Sequence, residues 1–422
     1  MKYKSIDLFA GIGGIRMGFD KAFGSDIETV FVSEWDEFAQ KTYKSNFYNP
    51  FEIAGDITKI DEKDIPAFDI CLAGFPCQAF SIAGTGGAGR NGFDDSFKGQ
   101  NRGNLFLEVV RICEYHRPKV IFCENVKGLV MHDKGRTFQV IRQAFRDIGY
   151  QVYWKVLNSK DFGVPQNRER IYIVAFRDDL NIGEFVFPTG SHKEVCIKDI
   201  LEEAPIKSKY YLSDVYVNTL RAHKARHASK GNGFGYEIRD LEGIAGTIVC
   251  GGMGRERNLI IDHRKHSMIP ETHIKGTINK EDIRKMTPRE WARLQGFPDT
   301  FKLELADTHL YKQFGNSVSV NVIEAIALKD RTGKYAQNDV DDVIDVEFEE
   351  HIPEKELLYY GIALTSGLLT GMLSNHVSAQ IIDNAKKAVS GDKKNLKPLR
   401  GLIVTAAKLC EYTGPKYTLS PV

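Results

Sequence analysis

The chain has 422 residues, of which 42% are hydrophobic and 27% are charged, the proportions of a soluble globular protein with room for roughly two or three domains. Lysine and arginine total 57 against 56 acidic residues, so the net charge is +1. This balance excludes a polycation, and any contact with nucleic acid must depend on a local basic surface.

Cysteine usage indicates a reducing compartment. The seven cysteines show no CxxC spacing, and no signal peptide is visible before the first predicted strand. We therefore expect a cytoplasmic protein with no disulfide framework and no metal site. The apolar stretch from Leu357 to Leu373 contains polar residues and three glycines and falls short of the ~20 residues that span a bilayer, so we expect a packed helix.

Strands and helices alternate in the first half of the chain. Short apolar runs predict strands at residues 6–9, 30–33, 68–73, 120–123 and 170–176. Helical patterns follow the first two of these strands, through Phe23 and from Glu37 to Ser45. This alternation predicts an α/β fold with a parallel, doubly wound sheet, in which ligands bind at the carboxyl ends of the strands.

A glycine-rich turn follows the first predicted strand. The segment DLFAGIGG, from Asp7 to Gly14, predicts strand, turn and helix. Its glycines allow the backbone to approach a ligand, and the helix amides face that ligand. A dinucleotide fingerprint would need a glycine where the chain has Arg16, which excludes a pyrophosphate site here.

Acidic and aromatic residues follow the next predicted strands. Glu34 ends the second strand, where a carboxylate can bind ribose hydroxyls. Trp35 offers a flat face for a purine, although a lone tryptophan is more often a core residue. Asp56 follows what we predict to be a third strand and can accept a hydrogen bond from an adenine amino group. An adenosine site without a diphosphate predicts S-adenosylmethionine as the cofactor.

One cysteine lies in a glycine-flanked loop, in the segment GFPCQAFS at residues 74–81. The preceding apolar run predicts a buried strand, so Cys77 stands at a strand end behind a proline. This position suits a cysteine nucleophile. The alternative is a buried structural cysteine, which is the commoner role of a cysteine in an arbitrary chain.

Two further polar segments adjoin later strands. Glu124 follows the strand at 120–123 and could protonate or hydrogen-bond a ring nitrogen; a helix N-cap is the alternative for a lone acid. Arg168 and Arg170 alternate on one face of an entering strand and suit phosphate or carbonyl recognition. A solvated strand edge with salt bridges is their alternative.

The sequence changes character after Arg177, where strands become short and glycines cluster. A basic run at 221–230 suits phosphate contacts, and an apolar-periodic pattern predicts one helix at 311–328. The carboxyl-terminal extension at 354–422 is predicted to be helical, and it is expected to dock on the core, or to bind a partner protein or a second copy. The predicted divisions are a catalytic domain at 1–177 completed by 300–330, a second domain at 178–299, an acidic linker at 331–353 and a helical extension at 354–422.

Together the motifs resemble the DNA cytosine-5 methyltransferase family of bacterial and phage modification systems. The matching segments occur in family order over residues 5–328 and are DLFAGIGG, SEWD, GDIT, GFPCQAFS, RGNLF, ENVKGL, QNRER, MTPREWARLQGFPD and QFGNSVSV. The resemblance implies a Rossmann-like, S-adenosylmethionine-dependent methyltransferase domain with a smaller, mostly β target recognition domain. It also implies methylation of a flipped-out cytosine in a specific duplex DNA sequence. The expected location of the protein is the bacterial cytoplasm, at the nucleoid.

Single residues receive roles from the same resemblance. Cys77 is the nucleophile that adds to carbon 6 of cytosine, and Glu124 engages ring nitrogen 3. Arg168 and Arg170 bind the base carbonyl and hold the loop geometry. The S-adenosylmethionine site comprises Phe9, Gly11, Gly13, Gly14, Glu34, Trp35, Asp56, Ile57, Leu105, Asn316 and Ser317.

DNA contacts are expected in the loop after Cys77 and in the second domain. The resemblance places Gln78 and Ser81 in the loop that closes over DNA. In the second domain, Arg255 and Arg257 could read guanine edges in the major groove. Phosphate contacts or surface salt bridges are the alternatives for each arginine.

Two other functions remain open on the sequence alone. An RNA cytosine-5 methyltransferase would use the same scaffold, but the basic recognition domain favours duplex DNA. A DNA-binding regulator without activity would keep the cofactor fold, but it has no need for Cys77, Glu124 and Arg168 together.

Overall fold

The structure is a computed structural model that describes residues 2–76, 105–191, 193–251, 255–264 and 276–332, all within one compact unit, Met1–Gln337. Its strands are β1 (Tyr3–Leu8), β2 (Ile27–Ser33), β3 (Ile70–Ala73), β4 (Val120–Val126), β5 (Tyr150–Asn158), β6 (Gln166–Asn167), β7 (Glu169–Arg177), β8 (Ala245–Gly246), β9 (Leu259–Ile261) and β10 (Ile283–Lys285). Its α-helices are α1 (Gly14–Phe23), α2 (Glu37–Asn46), α3 (Leu105–His116), α4 (Arg136–Asp147), α5 (Asp214–Ala228), α6 (Pro288–Leu294), α7 (Asp307–Asn316) and α8 (Val320–Thr332).

Within the described ranges, six strands form one sheet in the order β2-β1-β3-β4-β7-β5. Parallel pairing joins β1 to β2 and to β3, and β3 to β4, as predicted. At the other edge β7 runs antiparallel to both β4 and β5, which the sequence did not predict. The central strands read as continuous apolar runs because they are buried on both faces, as the four buried residues of β3 illustrate.

Two apolar clusters lie on opposite faces of this sheet. On one face α1 and α8 pack together, and their residues Phe19 and Ile323 share a cluster with Phe122 of β4. On the other face α3 and α4 contribute Phe106 and Phe145, whose ring centres are 5.3 Å apart. Alternate residues of a strand face opposite sides, so one buried strand serves both clusters. The predicted doubly wound α/β fold is confirmed.

Two predicted elements differ from the structure. The strand expected before Asp56 is only a single parallel bridge between Ser33 and Ala54. The helix expected at 311–328 is two helices, α7 and α8, because Ser317 at the end of α7 is extended, with φ −78° and ψ −179°. The break exposes backbone groups between the two helices, and these groups become binding partners for other residues.

The region after β7 combines short strands with the long helix α5. β6 pairs with β8 in parallel, and β9 pairs with β10 in antiparallel orientation. An apolar cluster contains Ile12 from the amino-terminal turn, Ile248 from the segment after β8 and Trp291 of α6. The division at 178–299 therefore stays a prediction, since the core of this region continues into the catalytic part.

Arg284 of β10 centres a buried ion network. Its side chain is fully buried, and Nε donates to Asp262 at 2.8 Å. Its two terminal nitrogens donate to the carboxylate of Glu290 at 2.7 and 2.8 Å. Glu290 also accepts from the backbone N–H of Thr287, which caps α6. The network ties the β9–β10 pair to α6.

In the described parts of the chain, every helix is too short or too polar to cross a lipid bilayer. The same parts hold no group of three His, Cys, Asp or Glu side chains arranged to bind a metal ion. The predicted helical extension at 354–422 lies outside the described residues, as does the acidic linker beyond residue 332.

Candidate active site

The glycine turn after β1 has a backbone conformation that favours glycine. Phe9, Gly11 and Gly13 have φ angles of 55°, 55° and 82°. A Cβ atom on Gly13 would collide with the ring of Phe47. A positive φ at Phe9 is strained for a residue with a side chain, and such strain often marks a functional turn.

Glu34, the residue after β2, holds this turn in place. Its Oε2 accepts from the backbone N–H of Gly11 at 2.7 Å, and its Oε1 accepts from that of Asp36 at 2.8 Å. Burial raises the pKa of Glu34, and these backbone hydrogen bonds lower it. Each carboxylate oxygen has a second lone pair, so the group can still accept hydrogen bonds from ligand hydroxyls.

Other predicted cofactor residues border the same strand ends. Trp35 is 70% exposed, so the core alternative for it is wrong. Asp56 accepts from the backbone N–H and hydroxyl of Thr58 at 3.1 and 2.8 Å, which fixes its carboxylate. Ile57 is buried, and Leu105 is the first residue of α3.

The carboxyl end of α7 packs against the start of α1. A Cβ atom on Gly14 would lie 2.8 Å from the hydroxyl oxygen of Ser317, so only glycine permits this approach. Asn316 is the last residue of α7. The structure thus brings the first and the last predicted cofactor motifs together.

The predicted nucleophile and loop residues Cys77, Gln78 and Ser81 lie outside the described residues and stay predictions. The strand end that leads to them is described. There the side-chain amide of Asn125 donates to the carbonyl oxygen of Phe75 at 3.0 Å. This bond joins the ends of the neighbouring parallel strands β3 and β4, two residues before Cys77.

Glu124 lies within β4 and is buried, so the helix-cap alternative for it is wrong. The Nε atom of Arg170 is 3.3 Å from its Oε1. Burial raises the pKa of Glu124, and the positive charges of Arg170 and Arg168 lower it. The net effect is a carboxyl group that keeps its proton to a higher pH than an exposed glutamate does.

Arg168, between β6 and β7, is 3% exposed, so the solvated-edge alternative is wrong for it. Its guanidinium donates to the carbonyl oxygens of Ile248 at 2.9 Å and Ser317 at 2.5 Å. Burial and the nearby charge of Arg170 lower the pKa of Arg168 to about 9. Arg168 therefore anchors the segments after β8 and α7 beside Glu124.

The two predicted DNA-reading arginines lie over different aromatic rings. The guanidinium carbon of Arg255 is 5.4 Å from the ring centre of Tyr311, and that of Arg257 is 4.8 Å from Phe234. Arg255 and Lys312 line a cavity of about 180 Å³, whereas Arg257 borders an open pocket of about 490 Å³. The structure therefore does not bring these two arginines to one site.

The sequence analysis missed a polar cluster beneath the glycine turn. Arg16 donates to the hydroxyl of Tyr43 at 3.1 Å and to Asn49 at 2.6 Å. Tyr43 donates to Asp7 at 3.1 Å, and burial raises the pKa of Asp7 to about 7. The signal in the sequence was an aspartate within an otherwise apolar buried strand.

A second missed contact joins α7 to α2. The ammonium group of Lys312 is 2.7 Å from the carboxylate of Asp36. Gln313 accepts from the hydroxyl of Thr42 and donates to the carbonyl of Phe38, both at 3.0 Å. These bonds hold the helix that follows Glu34 and Trp35, but no local pattern pairs residues so far apart in the chain.

Comparisons with known proteins agree with this geometry. The family model described as C-5 cytosine-specific DNA methylase matches residues 3–330. The Type II methyltransferase M.HpaII of Haemophilus parainfluenzae is 55% identical over 333 residues, which cover 78% of this chain and 89% of that protein. The Type II methyltransferase M.HhaI of Haemophilus parahaemolyticus is 39% identical over 331 residues, which cover 76% and 92%.

Solved structures share the fold. The Entamoeba histolytica methyltransferase EhMeth has a TM-score of 0.59 at 20% identity, covering 79% of this chain and 99% of that one. The Dnmt2 methyltransferase of S. pombe has a TM-score of 0.57 at 18% identity, covering 78% and 99%. At these identities the likeness concerns the fold alone. The family match over most of the chain, with the identity to M.HpaII, shows that the chain belongs to the C-5 cytosine-specific DNA methylases.

Proposed function

We propose that this DNA cytosine-5 methyltransferase moves the methyl group of S-adenosylmethionine to a flipped-out cytosine in a specific duplex DNA sequence, through a covalent adduct with Cys77. The observation that carries the proposal is the cluster of Glu124, Arg168 and Arg170, the first two of them buried, which lies at the strand end next to the one that leads into Cys77. The activity suits a restriction-modification system, as in the Type II methyltransferases that the chain resembles.

The residues around the glycine turn fit an adenosine cofactor. Trp35 presents an exposed indole face beside Glu34, whose oxygens can accept from ribose hydroxyls. A Cβ atom on Gly11 would have no atom within 4 Å, so the backbone of the turn is open to a ligand there. S-adenosylmethionine bound here supplies an electrophilic methyl group on a sulfonium centre.

The order of the chemistry follows from the poor nucleophilicity of carbon 5 in cytosine. Addition of the Cys77 thiolate to carbon 6 breaks the aromaticity and makes carbon 5 nucleophilic. After methyl transfer, loss of the proton from carbon 5 and departure of the thiolate restore the ring. The target base must leave the duplex stack for this attack, at a cost of a few kcal/mol.

Glu124 supplies the acid that the adduct needs. Its raised pKa keeps a proton available for ring nitrogen 3. Arg170, beside Glu124, can reach the base carbonyl, and a charged guanidinium is a strong hydrogen-bond donor. Arg168 already binds two backbone carbonyls, so its main contribution is to fix the site around the base.

The first test is adduct formation with DNA that carries 5-fluorocytosine, in which the fluorine cannot leave carbon 5. We expect a denaturation-stable complex for the wild type with cofactor, and none for Cys77→Ser, which should still bind S-adenosylhomocysteine. Cys196→Ser, a partly exposed cysteine of the second domain, serves as the matched control. Normal turnover by Cys77→Ser would overturn the covalent mechanism.

DNA reading is proposed for at least one of Arg255 and Arg257. Replacement of a base-reading arginine by alanine should cost about 1–3 kcal/mol of discrimination at one base pair. Loss of a phosphate contact should instead weaken binding to all sequences alike and reduce its salt dependence. Bisulfite sequencing of DNA from cells that express each variant distinguishes the two roles. Only the loss of a base-reading arginine should extend methylation to sites that differ from the target at one base pair.

The extension at 354–422 is proposed to dock on the catalytic part or to bind a partner protein or a second copy. The test is truncation after residue 337, followed by measurement of the melting temperature and of the molar mass by light scattering. A lower melting temperature supports docking, and a lower molar mass supports assembly. A truncated protein that matches the full chain in both would exclude docking and self-association.

A further inference from the structure

Tyr172 of β7 lies directly opposite Glu124 of β4 in the antiparallel register. Residues opposite each other in such a ladder share a face of the sheet, with Cβ atoms about 4.5–5.5 Å apart. Arg170 lies on the same face of β7, two residues earlier. Glu124 therefore has an arginine diagonal to it and a tyrosine opposite.

The hydroxyl group of Tyr172 is buried without a hydrogen-bond partner among the described protein atoms. The residue is 0% exposed, and its ring packs in the apolar cluster with Phe122 and Val174. A buried hydroxyl without a partner is destabilising, and a phenylalanine would fill the same space without that cost. We therefore expect this hydroxyl to bind a polar group when substrate is present.

Two neighbouring groups have unused hydrogen-bonding capacity as well. Glu124 Oε1 and Arg168 Nε are buried, and neither has a hydrogen-bond partner in the described structure. Arg170 is within ion-pair distance of Oε1 but is not aligned for a hydrogen bond. Three polar groups at this strand end thus have unused hydrogen-bonding capacity: the acceptor Oε1 of Glu124, the donor Nε of Arg168, and the hydroxyl of Tyr172, which can donate or accept.

The charges around Glu124 favour a protonated tyrosine. Burial raises the pKa of Tyr172, and the carboxylate of Glu124 raises it further, so the hydroxyl remains a donor at neutral pH. Arg168 and Arg170 are the cations that act on both residues. Lys155, opposite Tyr172 on β5, is exposed to solvent.

We propose that Tyr172 is a positioning residue for Glu124. Its hydroxyl donates a hydrogen bond to the Glu124 carboxyl group, directly or through one water molecule, when Arg170 turns towards the carbonyl of the bound cytosine. Without this donor, the departure of Arg170 would leave the buried Oε1 with neither an ion-pair partner nor a hydrogen bond. The inference rests on the acid role proposed above for Glu124.

Tyr172→Phe tests the proposal, and Tyr150→Phe is the matched control. Tyr150 is an equally buried tyrosine whose hydroxyl donates to the carbonyl of Pro118 at 2.7 Å, away from Glu124. The assay is the single-turnover rate of tritiated methyl transfer from S-adenosylmethionine to unmethylated plasmid DNA, measured from pH 6 to pH 10. Urea unfolding of each variant accompanies it.

We expect Tyr172→Phe to lower the single-turnover rate by about three- to tenfold, the effect of one hydrogen bond, with unchanged affinity for S-adenosylhomocysteine. A donor stabilises the charged carboxylate, so its loss raises the pKa of Glu124. The fall in rate at high pH should then begin about 0.5–1 pH unit higher. Stability should stay the same or increase, whereas Tyr150→Phe should lose stability and keep the wild-type pH profile.

A Tyr172→Phe profile and rate that match the wild type would overturn the inference, because a purely structural hydroxyl predicts that result. Glu124→Gln separates this outcome from failure of the acid role. If Glu124→Gln is inactive or loses the high-pH fall while Tyr172→Phe is normal, only the role of Tyr172 is wrong. If Glu124→Gln keeps both rate and profile, the acid role and the inference fall together.

Discussion

Asn125 and Phe75 form the one described side-chain hydrogen bond that joins the strand end carrying Glu124 to the strand that leads into Cys77: the Asn125 amide donates to the Phe75 carbonyl at 3.0 Å. Both residues are buried. The contact thus ties the strand of the proposed acid to the chain segment that leads into Cys77.

Asn125→Ala should slow adduct formation with 5-fluorocytosine DNA and should destabilise the fold by about 1–3 kcal/mol, because it removes the buried hydrogen bond between the Asn125 amide and the Phe75 carbonyl. Stopped-flow mixing and urea unfolding measure the two effects. Asn321→Ala is the matched control, since Asn321 donates to the carbonyl of Phe162 at the same distance. Equal rates of adduct formation in the two variants would contradict a positioning role for Asn125.

Glu34→Ala should weaken the binding of S-adenosylhomocysteine. The variant loses the acceptor for ribose hydroxyls and also releases the backbone N–H groups of Gly11 and Asp36. Hydrogen bonds to a charged group contribute about 1.5–3 kcal/mol, which corresponds to roughly 10- to 150-fold in affinity. Isothermal titration calorimetry measures this affinity, and Glu37→Ala, at an exposed position, is the control. An affinity within a factor of two of wild type would refute the assignment.

Arg284→Met should destabilise the protein by about 3–5 kcal/mol, because it leaves the buried carboxylate of Glu290 without its ion-pair partner and removes one of the two arginines that pair with Asp262. The midpoint of urea unfolding is the measurement. Lys44→Met breaks an exposed ion pair with Glu52 and should cost at most about 1 kcal/mol. A similar loss of unfolding free energy in the two variants would show that the buried network stabilises the fold no more than an exposed ion pair does.

Asp7 should make stability decrease with pH. Its pKa in the fold is about 7, against about 3.9 in an unfolded chain, so the folded state keeps a proton that the unfolded state releases. The stabilisation is complete below about pH 4 and is lost as pH rises towards 7.

Asp7→Asn keeps the shape of the side chain and removes the carboxyl group that titrates. The difference in unfolding free energy between pH 4.5 and pH 7.5 should therefore change in the variant, by at most about 4 kcal/mol. Burial also raises the pKa of Asp20 and Glu34, so part of the wild-type slope will remain. If the pH dependence of the unfolding free energy is the same in Asp7→Asn as in the wild type, Asp7 is ionised in the folded protein. The exposed Asp64→Asn is the control.

Several parts of the fold and site could be predicted from local sequence. The buried run of β3 and the helix that begins after Asp36 follow from residue type and period, because backbone pairing and caps act over short distances. Glu34 was placed within one residue of the end of its strand. The strand β7 was predicted at 170–176, but its antiparallel direction was not, because an apolar run does not state its direction. The strand β5 was not predicted.

The two arginines show where local pattern fails. Arg168 and Arg170 have the same residue type and nearly the same position, and the sequence treats them alike. In the structure Arg168 binds the backbone of Ile248 and Ser317, whereas Arg170 pairs with Glu124. Each partner comes from a distant segment, so only the packing of those segments distinguishes the two roles.

The sequence by itself determined the chemical groups of this methyltransferase: an acid at Glu124, arginines at 168 and 170, a glycine turn with Glu34 and Trp35, and the cysteine expected to attack the base. Those groups are covalent properties of the residues and their near neighbours. Tertiary structure decided how the described groups behave. Burial raises the pKa of Glu124, and the break between α7 and α8 supplies the Ser317 carbonyl to Arg168. The register of β4 and β7 places Tyr172 opposite the acid. These effects depend on distances across the fold, and a linear pattern does not contain them.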